Sequence, residues 1–523
     1  MANTGSHQTS EPAGADSGGH LAAGPSGALM VAGATSGAGK STVAAALCRS
    51  FARKGLRVAP FKAQNMSNHS AVTPDGGEVG RSQAVQAHAA RVELDRRMNP
   101  ILLKPSRNAS HVVVLGDDVA TTNAADYGDV AKRLRSTVLK ALDSLRGDYP
   151  IVIAEGAGGV AEINLLDRDL VNLPLAAAAG IPAILVVDID RGGAFAAAHG
   201  TLDLLPDHLR KQVVGILFNS FRGDSSLLDD GIADLELRDG VPVLGVLPHL
   251  GDEPMLGVED SLDMHAGRMP GAGSRTGKPV RVAAVRYPSL SNPSDLDPLL
   301  IEPDVELSWV ERPDDLARAD LIVLPGSRAT VNDLAWLRTS GIADALNSTD
   351  AWIVGICGGY QMLGKRIDDD LESGEGTVDG LGLLPAHTVF TEPKTVRRST
   401  GHTHDTGVGV SGYQIRWGRP QVSGGSWLQV DGEEEGAAVT RPTPTYGTSL
   451  HGLFDSDGFR QDFLTQVALD RKRDFTPSAT TYAAALDGQA DRLADWIEAE
   501  VDMGHLLNMA TSATPAGDGP GWH

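Results

Sequence analysis

The sequence has little cysteine and a shortage of basic residues, and each shortage excludes a class of protein. Two cysteines in 523 residues, Cys48 and Cys357, cannot form a disulfide framework, so the sequence predicts a cytoplasmic protein. Lys and Arg total 45 against 67 Asp and Glu, which gives a net charge of −22. Phosphate backbones and anionic lipids both attract basic surfaces. We therefore expect no nucleic acid and no membrane among the partners.

Long apolar runs are also missing. The eighteen residues Leu170–Val187 carry no charge, but Pro174 and Gly180 interrupt them. A membrane-spanning helix needs about 20 predominantly apolar residues. The stretch therefore predicts a short helix, a turn and a buried strand over Ala183–Val187. Residues 1–27 lack a basic segment followed by an apolar one, so they predict a disordered leader rather than a signal peptide.

Short apolar runs alternate with helical segments through the first half of the chain. Near-continuous apolar strands separated by helices indicate a parallel sheet covered on both faces. The pattern stops over 251–279, which is rich in Gly, Pro and charged residues, and restarts at Val280–Val285. The sequence thus predicts an α/β fold with two domains, over 28–250 and 280–505. Residues 251–279 are the predicted linker, and 506–523 are a predicted disordered tail.

The stretch Gly33–Thr42 predicts a phosphate-binding loop, since it follows a predicted strand and opens a predicted helix. Glycines there let backbone N–H groups converge on phosphate oxygens, and the helix N-terminus adds partial positive charge. Lys40 is placed to reach the β- and γ-phosphates of ATP, and Ser41 to hold Mg²⁺. The predicted ATP-binding residues of this loop are Gly37, Ala38, Gly39, Lys40, Ser41 and Thr42.

Carboxylates end two of the predicted strands of the first sheet. Glu155 follows the apolar run Ile151–Ala154, and a carboxylate at the carboxyl end of a parallel strand is well placed to ligate Mg²⁺ beside the phosphate loop. The alternative is a solvated side chain at the end of a loop. Asp188 and Asp190 follow another strand, and either could hold metal or position a substrate.

The stretch Val354–Gly364 has the spacing of a nucleophile elbow. Gly355 and Gly359 flank Cys357 at two residues on either side, which leaves room for a strained turn between a strand and a helix. The helix N-terminus favours the thiolate. A thiolate nucleophile needs a base, and His451, in a short strand that ends in a turn, is the best placed of the fifteen histidines. The alternatives are that Cys357 is a buried structural cysteine and that His451 is a histidine whose hydrogen bonds are satisfied within a β-hairpin.

Together these motifs resemble the cobyric acid synthase family, from about Ala28 to Ala499. Other stretches carry the same resemblance: Phe61–Ser67, Asp75–Arg81, Met98–Pro100, Asp188–Gly193, Asn219–Asp224 and Leu324–Ser327. The resemblance implies an N-terminal P-loop domain similar to dethiobiotin synthetase and a C-terminal class I glutamine amidotransferase domain. The nearest relative, cobyrinic acid a,c-diamide synthase, has the same architecture, and Gln64–Met66 favours the first family over it.

The resemblance also implies the reaction and its participants. They are ATP, Mg²⁺, L-glutamine and a corrinoid acid, adenosylcobyrinic acid a,c-diamide, amidated at its b, d, e and g carboxylates. Gly358 and a residue of the Pro325–Ser327 turn, Gly326, are the implied oxyanion-hole donors. Lys62 is an implied ATP-binding residue, and the implied substrate-binding residues are Asn65, Arg81, Asp188, Arg191 and Arg222. Oligomeric state is not indicated.

Three departures from the family pattern qualify the resemblance. Leu453 stands where a class I amidotransferase usually has the glutamate of its triad, so the group that orients His451 is left open. Ala63 replaces a proline, and the Gly-Tyr motif, expected to carry an acidic residue and a histidine, here reads Gly412-Tyr413-Gln414-Ile415-Arg416. A regulatory P-loop ATPase with an inert second domain is the alternative of a different class, although Thr35 argues against the partition type.

The acidic chain must still bind polyanionic substrates, and this requires local positive charge. We expect Lys62, Arg81, Lys104, Arg191 and Arg222 to surround a positive cleft in the first domain.

Overall fold

A computed structural model of the chain describes residues 27–105, 110–122, 127–251, 255–257, 268–269, 277–440 and 442–512. The predicted leader lies outside these ranges except for Gly27, which begins the first strand. Most of the predicted linker and residues 513–523 of the predicted tail also lie outside them.

The first half of the chain forms a six-stranded sheet in which every pairing is parallel. In spatial order its strands are Val243–Pro248, Val213–Phe221, Ala183–Asp188, Gly27–Gly33, Ile151–Glu155 and Val58–Phe61. Alternate side chains enter two separate cores: Met30 and Val152 face one, while Leu29 and Ile153 face the other. Because both faces are covered, the strands are largely apolar, and the predicted parallel sheet is confirmed.

Helices cover the two faces of this sheet. Those of the first half are Lys40–Arg53, Arg81–Ala89, Tyr127–Asp148, Leu173–Ala179, Ala194–Leu204, Asp207–Arg210 and Asp229–Asp239. The uncharged stretch 170–187 forms the short helix Leu173–Ala179 and the strand Ala183–Asp188, as predicted. Across the part of the chain that the structure describes, no helix has the length and apolar character needed to cross a membrane.

Two small sheets lie beside the large one. Gln64–Met66, Ile101–Pro105, Ser110–Val114 and Asp117–Thr122 form a four-stranded sheet, and Ser70–Val72 pairs with Glu78–Gly80. The second strand of this hairpin leads directly into the helix Arg81–Ala89.

The second half of the chain contains a seven-stranded sheet whose five central strands are parallel. Its strands, in spatial order, are Arg268–Met269, Val305–Val310, Val280–Val285, Leu321–Leu324, Trp352–Ile356, Thr445–Thr448 and Ala437–Val439. A further sheet consists of Arg366–Asp369, Gly376–Asp379, Ala386–Thr403, Gly409–Val422, Leu428–Val430 and Glu433–Glu435. Leu290–Ser291 pairs with Gly326–Ser327.

The helices of the second half do not all belong to its own core. Pro313–Leu316, Thr330–Thr339, Ile342–Ser348, Gly358–Leu363 and Asp457–Arg471 accompany the second sheet, as does the 3₁₀ segment Pro293–Ile301. The last two helices, Tyr482–Glu500 and Met503–Thr511, pack instead against the first sheet, where Leu493, Ile497 and Leu506 are buried with Leu29 and Val31.

The packing of these last two helices against the first sheet explains two differences from the predicted boundaries. The tail predicted to begin at 506 is helical to Thr511, because Leu506 and Ala510 are fully buried. Leu256, within the predicted linker, is also buried, and its backbone exchanges hydrogen bonds with the Gln489 side chain at 2.7 and 3.0 Å. The helices Tyr482–Glu500 and Met503–Thr511 therefore complete the first core.

Replacing Ile497 by alanine should destabilise the core of the first domain although Ile497 lies near the end of the chain. Its side chain is fully buried, so Ile497→Ala should lower the free energy of unfolding by about 2–5 kcal/mol in urea denaturation. Leu469→Ala is the control, because Leu469 is 75% exposed, and it should change that free energy by about 0.5 kcal/mol at most. Equal effects would contradict the packing described.

Candidate active sites

The predicted phosphate loop lies between the strand Gly27–Gly33 and the helix Lys40–Arg53. The Lys40 ammonium donates to the carbonyl oxygens of Thr35 at 3.1 Å and Gly158 at 3.0 Å, which holds it over the loop. Gly39 has φ 94°, and a Cβ there would overlap the Asn219 side chain. Asn219 in turn donates to the Ala38 carbonyl at 2.9 Å. The loop is thus fixed by neighbouring strands as well as by its own glycines.

Glu155 is the centre of the polar contacts beside this loop. Its carboxylate accepts hydrogen bonds from the Ser41 hydroxyl and the Lys62 ammonium, both at 2.7 Å, and from the Gln86 amide. Burial raises the pKa of Glu155, but the Lys62 charge and these hydrogen bonds outweigh it and hold the pKa below its ordinary value. The group is therefore a carboxylate at neutral pH.

Ser41 and Glu155 offer the hard oxygen ligands that Mg²⁺ prefers. Within the described ranges, no group of three or more His, Cys, Asp and Glu residues could hold a metal ion. A Mg²⁺ ion at this position would therefore take its remaining ligands from phosphate and water, which is how the ion is usually held in nucleotide sites.

The other residues predicted to bind substrate make polar contacts of their own. Asn65 is buried and its amide donates to the Ser82 hydroxyl at 3.3 Å. Asp188 ends its strand, 3.6 Å from the exposed Arg191 guanidinium. Arg222 pairs with Asp190 at 2.9 Å. These last residues lie at the carboxyl edge of the first sheet, on the solvent side.

Cys357 occupies the predicted turn between the strand Trp352–Ile356 and the helix Gly358–Leu363. Its φ of 50° is a strained conformation for a residue with a side chain, at a cost of about 1–3 kcal/mol. A Cβ at Gly359 would overlap the Leu324 carbonyl oxygen, so the turn tolerates no side chain there. The Cys357 N–H donates to the Thr448 carbonyl at 2.7 Å, which ties the turn to the strand that leads to His451.

His451 lies beside Cys357 and is held by a carboxylate that the sequence analysis did not identify. Its Nδ1 lies 2.7 Å from Asp295 Oδ2, and the Gly452 N–H donates to Asp295 Oδ1 at 2.9 Å. The Tyr413 ring stacks on the imidazole, with centroids 5.3 Å apart. Burial lowers the pKa of His451, but the charges of Asp295 and Cys357 outweigh it and raise the pKa to about 10.

Asp295 occupies the role left open by Leu453, which is fully buried and apolar. It lies in the 3₁₀ segment Pro293–Ile301, 156 positions before His451, so no local spacing indicates the pair. A signal was nevertheless present: Asp295 and Asp297 lie in the segment that follows the strand Val280–Val285, and sites at the carboxyl ends of strands are expected in α/β folds.

The two glycines implied as oxyanion donors lie beside the nucleophile. Gly326 pairs with Ser291, and a Cβ there would lie 3.0 Å from His451 Cε1. A Cβ at Gly358 would lie 2.7 Å from the Ser327 nitrogen. Neither position therefore has room for a side chain.

Both halves of the chain line the pocket that contains Cys357 and His451. Asn68 and Lys104 come from the first half. The second half contributes Arg328, Glu372, Lys394 and Arg416, among others. The pocket therefore lies at the interface between the halves.

Buried charges join the two halves beside this pocket. Glu78 of the first half forms ion pairs with Lys104 and with Lys394 of the second half. Burial lowers the pKa of Lys104 to about 8, although Glu78 opposes the shift.

The single positive cleft expected from five basic residues is not observed. Lys62 contacts Glu155, and Lys104 faces the cysteine pocket. Burial lowers the pKa of Arg81, but the nearby Asp455 and Asp297 carboxyls and Tyr413 and Tyr482 hydroxyls outweigh it and raise the pKa. Arg191 and Arg222 are largely exposed. The five basic side chains have different contacts because the segments that carry them lie in different parts of the fold.

Comparison with known proteins identifies two domain families in the same order as the two sheets. Residues 29–252 match the CobQ/CobB/MinD/ParA nucleotide binding domain, and residues 281–459 match the CobB/CobQ-like glutamine amidotransferase domain. Full-length relatives were also found. Proteins named cobyric acid synthase from Frankia casuarinae and Nocardia farcinica are each 46% identical to this chain, over 521 and 515 residues. Each match covers 94% of this chain and 98% of the relative.

Removing the Asp295 charge should lower the pKa of His451 from about 10 towards its ordinary value of 6.5, because Asp295 is a principal cause of the increase. Histidine NMR titration of Asp295→Asn measures this shift. Since the folded pKa exceeds the unfolded one, the pair stabilises the fold fully below pH 6.5 and loses this effect as the pH rises towards 10.

Asp297→Asn is the matched control for that titration. Asp297 lies two residues further on, but it accepts from the Gly257 N–H at 2.6 Å rather than from His451. In this variant the pKa of His451 should change clearly less than in Asp295→Asn. A His451 pKa that is unchanged in Asp295→Asn would contradict the assignment.

Proposed function

Because this chain belongs to the cobyric acid synthase family, we propose that it couples glutamine hydrolysis at Cys357 to ATP-dependent amidation of a corrinoid acid near Lys40. The proposal rests on one observation: each of the two domains holds its own cluster of site residues. Lys40, Ser41 and Glu155 converge in the first domain. Cys357, His451 and Asp295 converge in the second.

In the second domain Cys357 attacks the side-chain amide of glutamine. His451 accepts the thiol proton and then gives it to the departing ammonia, leaving a thioester that water hydrolyses to glutamate. Asp295, 2.7 Å from Nδ1, holds the imidazole with Nε2 free for this transfer and stabilises the imidazolium. Backbone N–H groups at Gly358 and Gly326 are the proposed donors to the oxyanion.

In the first domain the loop 37–42 and Lys40 bind the phosphates of ATP. A substrate carboxylate attacks the γ-phosphorus, giving an acyl phosphate and ADP, and ammonia then displaces phosphate to form the amide. Lys62 and Gln86 keep the Glu155 carboxylate oriented towards Ser41. When bound by Ser41 and Glu155, Mg²⁺ would neutralise charge on the phosphates.

Ammonia must travel between the two sites in its unprotonated form, because ammonium is not a nucleophile. Bulk water near neutral pH would protonate most of it. We therefore propose a shielded passage between the domains. The location of the cysteine pocket at the interface, where Asn68 and Lys104 of the first domain meet its wall, supports this proposal.

The substrate proposed from the family is adenosylcobyrinic acid a,c-diamide, amidated at the b, d, e and g carboxylates. The Gln64–Met66 stretch favours it over the a,c-diamide step. An inert second domain is disfavoured, because Cys357, His451 and Asp295 retain the contacts that nucleophilic catalysis needs. A free catalytic thiol also accords with the reducing cytoplasm, where we place the enzyme.

Two substitutions should separate the two reactions. Cys357→Ala should abolish amidation with glutamine but retain it with ammonium salts, because only the nitrogen source is lost. Lys40→Ala should remove amidation with either source, because phosphate binding is lost. ADP release and amide formation, measured with the corrinoid acid under both conditions, test this pattern. Glutamine use by Cys357→Ala would refute the nucleophile assignment.

The same assay tests the acceptor. ADP release from the unsubstituted protein should increase when adenosylcobyrinic acid a,c-diamide is added, and cobyrinic acid itself should stimulate it less. No stimulation by the a,c-diamide would refute the substrate assignment, whereas stronger stimulation by cobyrinic acid would favour the a,c-diamide synthase alternative.

A further inference from the structure

Asn292 joins the two domains next to the catalytic histidine. Its Oδ1 accepts the Ser70 N–H at 3.0 Å, and its own N–H donates to His69 Nδ1 at 3.1 Å, so it binds the first domain through two hydrogen bonds. Its Nδ2 donates to the Tyr413 hydroxyl at 3.1 Å in the second domain. The side chain is buried, and its two hydrogen bonds, with Ser70 and Tyr413, are therefore shielded from water.

Both partners of Asn292 in the second domain act on His451. The Tyr413 ring is nearly parallel to the imidazole, at 18°, and the backbones of Tyr413 and His451 exchange hydrogen bonds of 3.0 and 2.8 Å. The Asn292 carbonyl accepts the Asp295 N–H at 3.1 Å, which fixes the start of the segment that carries Asp295. Asn292 thus supports the ring that stacks on His451 and the carboxylate that binds it.

The contacts of Asn292 in the first domain lead towards the ATP site. The His69 carbonyl accepts the Arg81 N–H at 3.0 Å, at the start of the helix Arg81–Ala89. On the same helix, Gln86 donates to Glu155. Hydrogen bonds and one short helix therefore connect the carboxylate beside Ser41 with the residue that supports His451.

We propose that Asn292 is a positioning residue through which the first domain orients His451, so that efficient glutamine hydrolysis requires the docked first domain. The inference rests on the proposed function, because it assigns His451 as the base. The backbone at Asn292 has φ 48° and ψ 50°, a left-handed conformation that asparagine and glycine accept more readily than other residues. The position thus combines a rare backbone conformation with four hydrogen bonds, two to the first domain and two within the second.

Asn292→Gly is the direct test, because glycine keeps the left-handed backbone and removes only the side-chain bonds. It should lower kcat for glutamine-dependent amidation by about 10–100-fold, since small displacements of catalytic groups are costly. The KM for glutamine should change little, and ammonia-dependent amidation should be unchanged. Tyr413→Phe, which removes the hydroxyl but retains the stacked ring, should give a smaller loss in the same direction.

Arg398→Met is the matched control for loss of a domain contact. The Arg398 Nε donates to the Val72 carbonyl of the first domain at 2.9 Å. The Arg398 backbone lies opposite Tyr413 in the strand pair, and Arg398→Met keeps that pairing because it changes only the side chain. This variant should keep the ratio of glutamine-dependent to ammonia-dependent kcat found in the unsubstituted protein.

The ratio of the two rates decides between the outcomes. Any of three results would overturn this inference alone. The first is an equal loss of both rates in Asn292→Gly, and the second is no loss in either Asn292→Gly or Tyr413→Phe. The third is a fall of the ratio in Arg398→Met that equals the fall in Asn292→Gly. If the unsubstituted protein forms no amide from either nitrogen source, the proposed function itself fails.

Discussion

The hydrogen bond between Asp295 and His451 is the interaction on which the second site depends. Both side chains are at most 3% exposed, so their charges have almost no water to solvate them. A buried ion pair is tolerated only when its geometry is good and further hydrogen bonds satisfy the remaining atoms. The Gly452 N–H and the stacked Tyr413 ring meet part of this requirement. The segment Pro293–Ile301 must therefore be placed accurately, although it lies far from His451 in sequence.

The first site follows the same physical logic with different residues. Glu155 is buried and charged, and it is satisfied by side chains from three separate elements, which carry Ser41, Lys62 and Gln86. In both domains a site residue lies at the carboxyl end of a parallel strand: Glu155 ends Ile151–Glu155, and Cys357 directly follows Trp352–Ile356. Carboxyl ends of parallel strands are where α/β sheets place their ligands. Each sheet thus positions one half of the proposed reaction.

Local sequence patterns were sufficient to predict the elements and site residues that depend only on residues nearby in the sequence. The apolar strands, the loop around Lys40 and the turn at Cys357 each require residues within about ten positions, and the structure places them as predicted. Asp295 could not be found in this way, because its partner is 156 positions away and the fold alone brings them together. The return of the helix Tyr482–Glu500 to the first core was missed for the same reason.

In the proposed mechanism, ammonia made at Cys357 reaches the acyl phosphate without mixing with solvent. The most direct measurement uses glutamine labelled with ¹⁵N in its side-chain amide, in the presence of excess unlabelled ammonium, followed by mass spectrometry of the amidated corrinoid. Almost all newly formed amides should carry ¹⁵N. Amides with the isotope ratio of the bulk ammonium pool would contradict this mechanism.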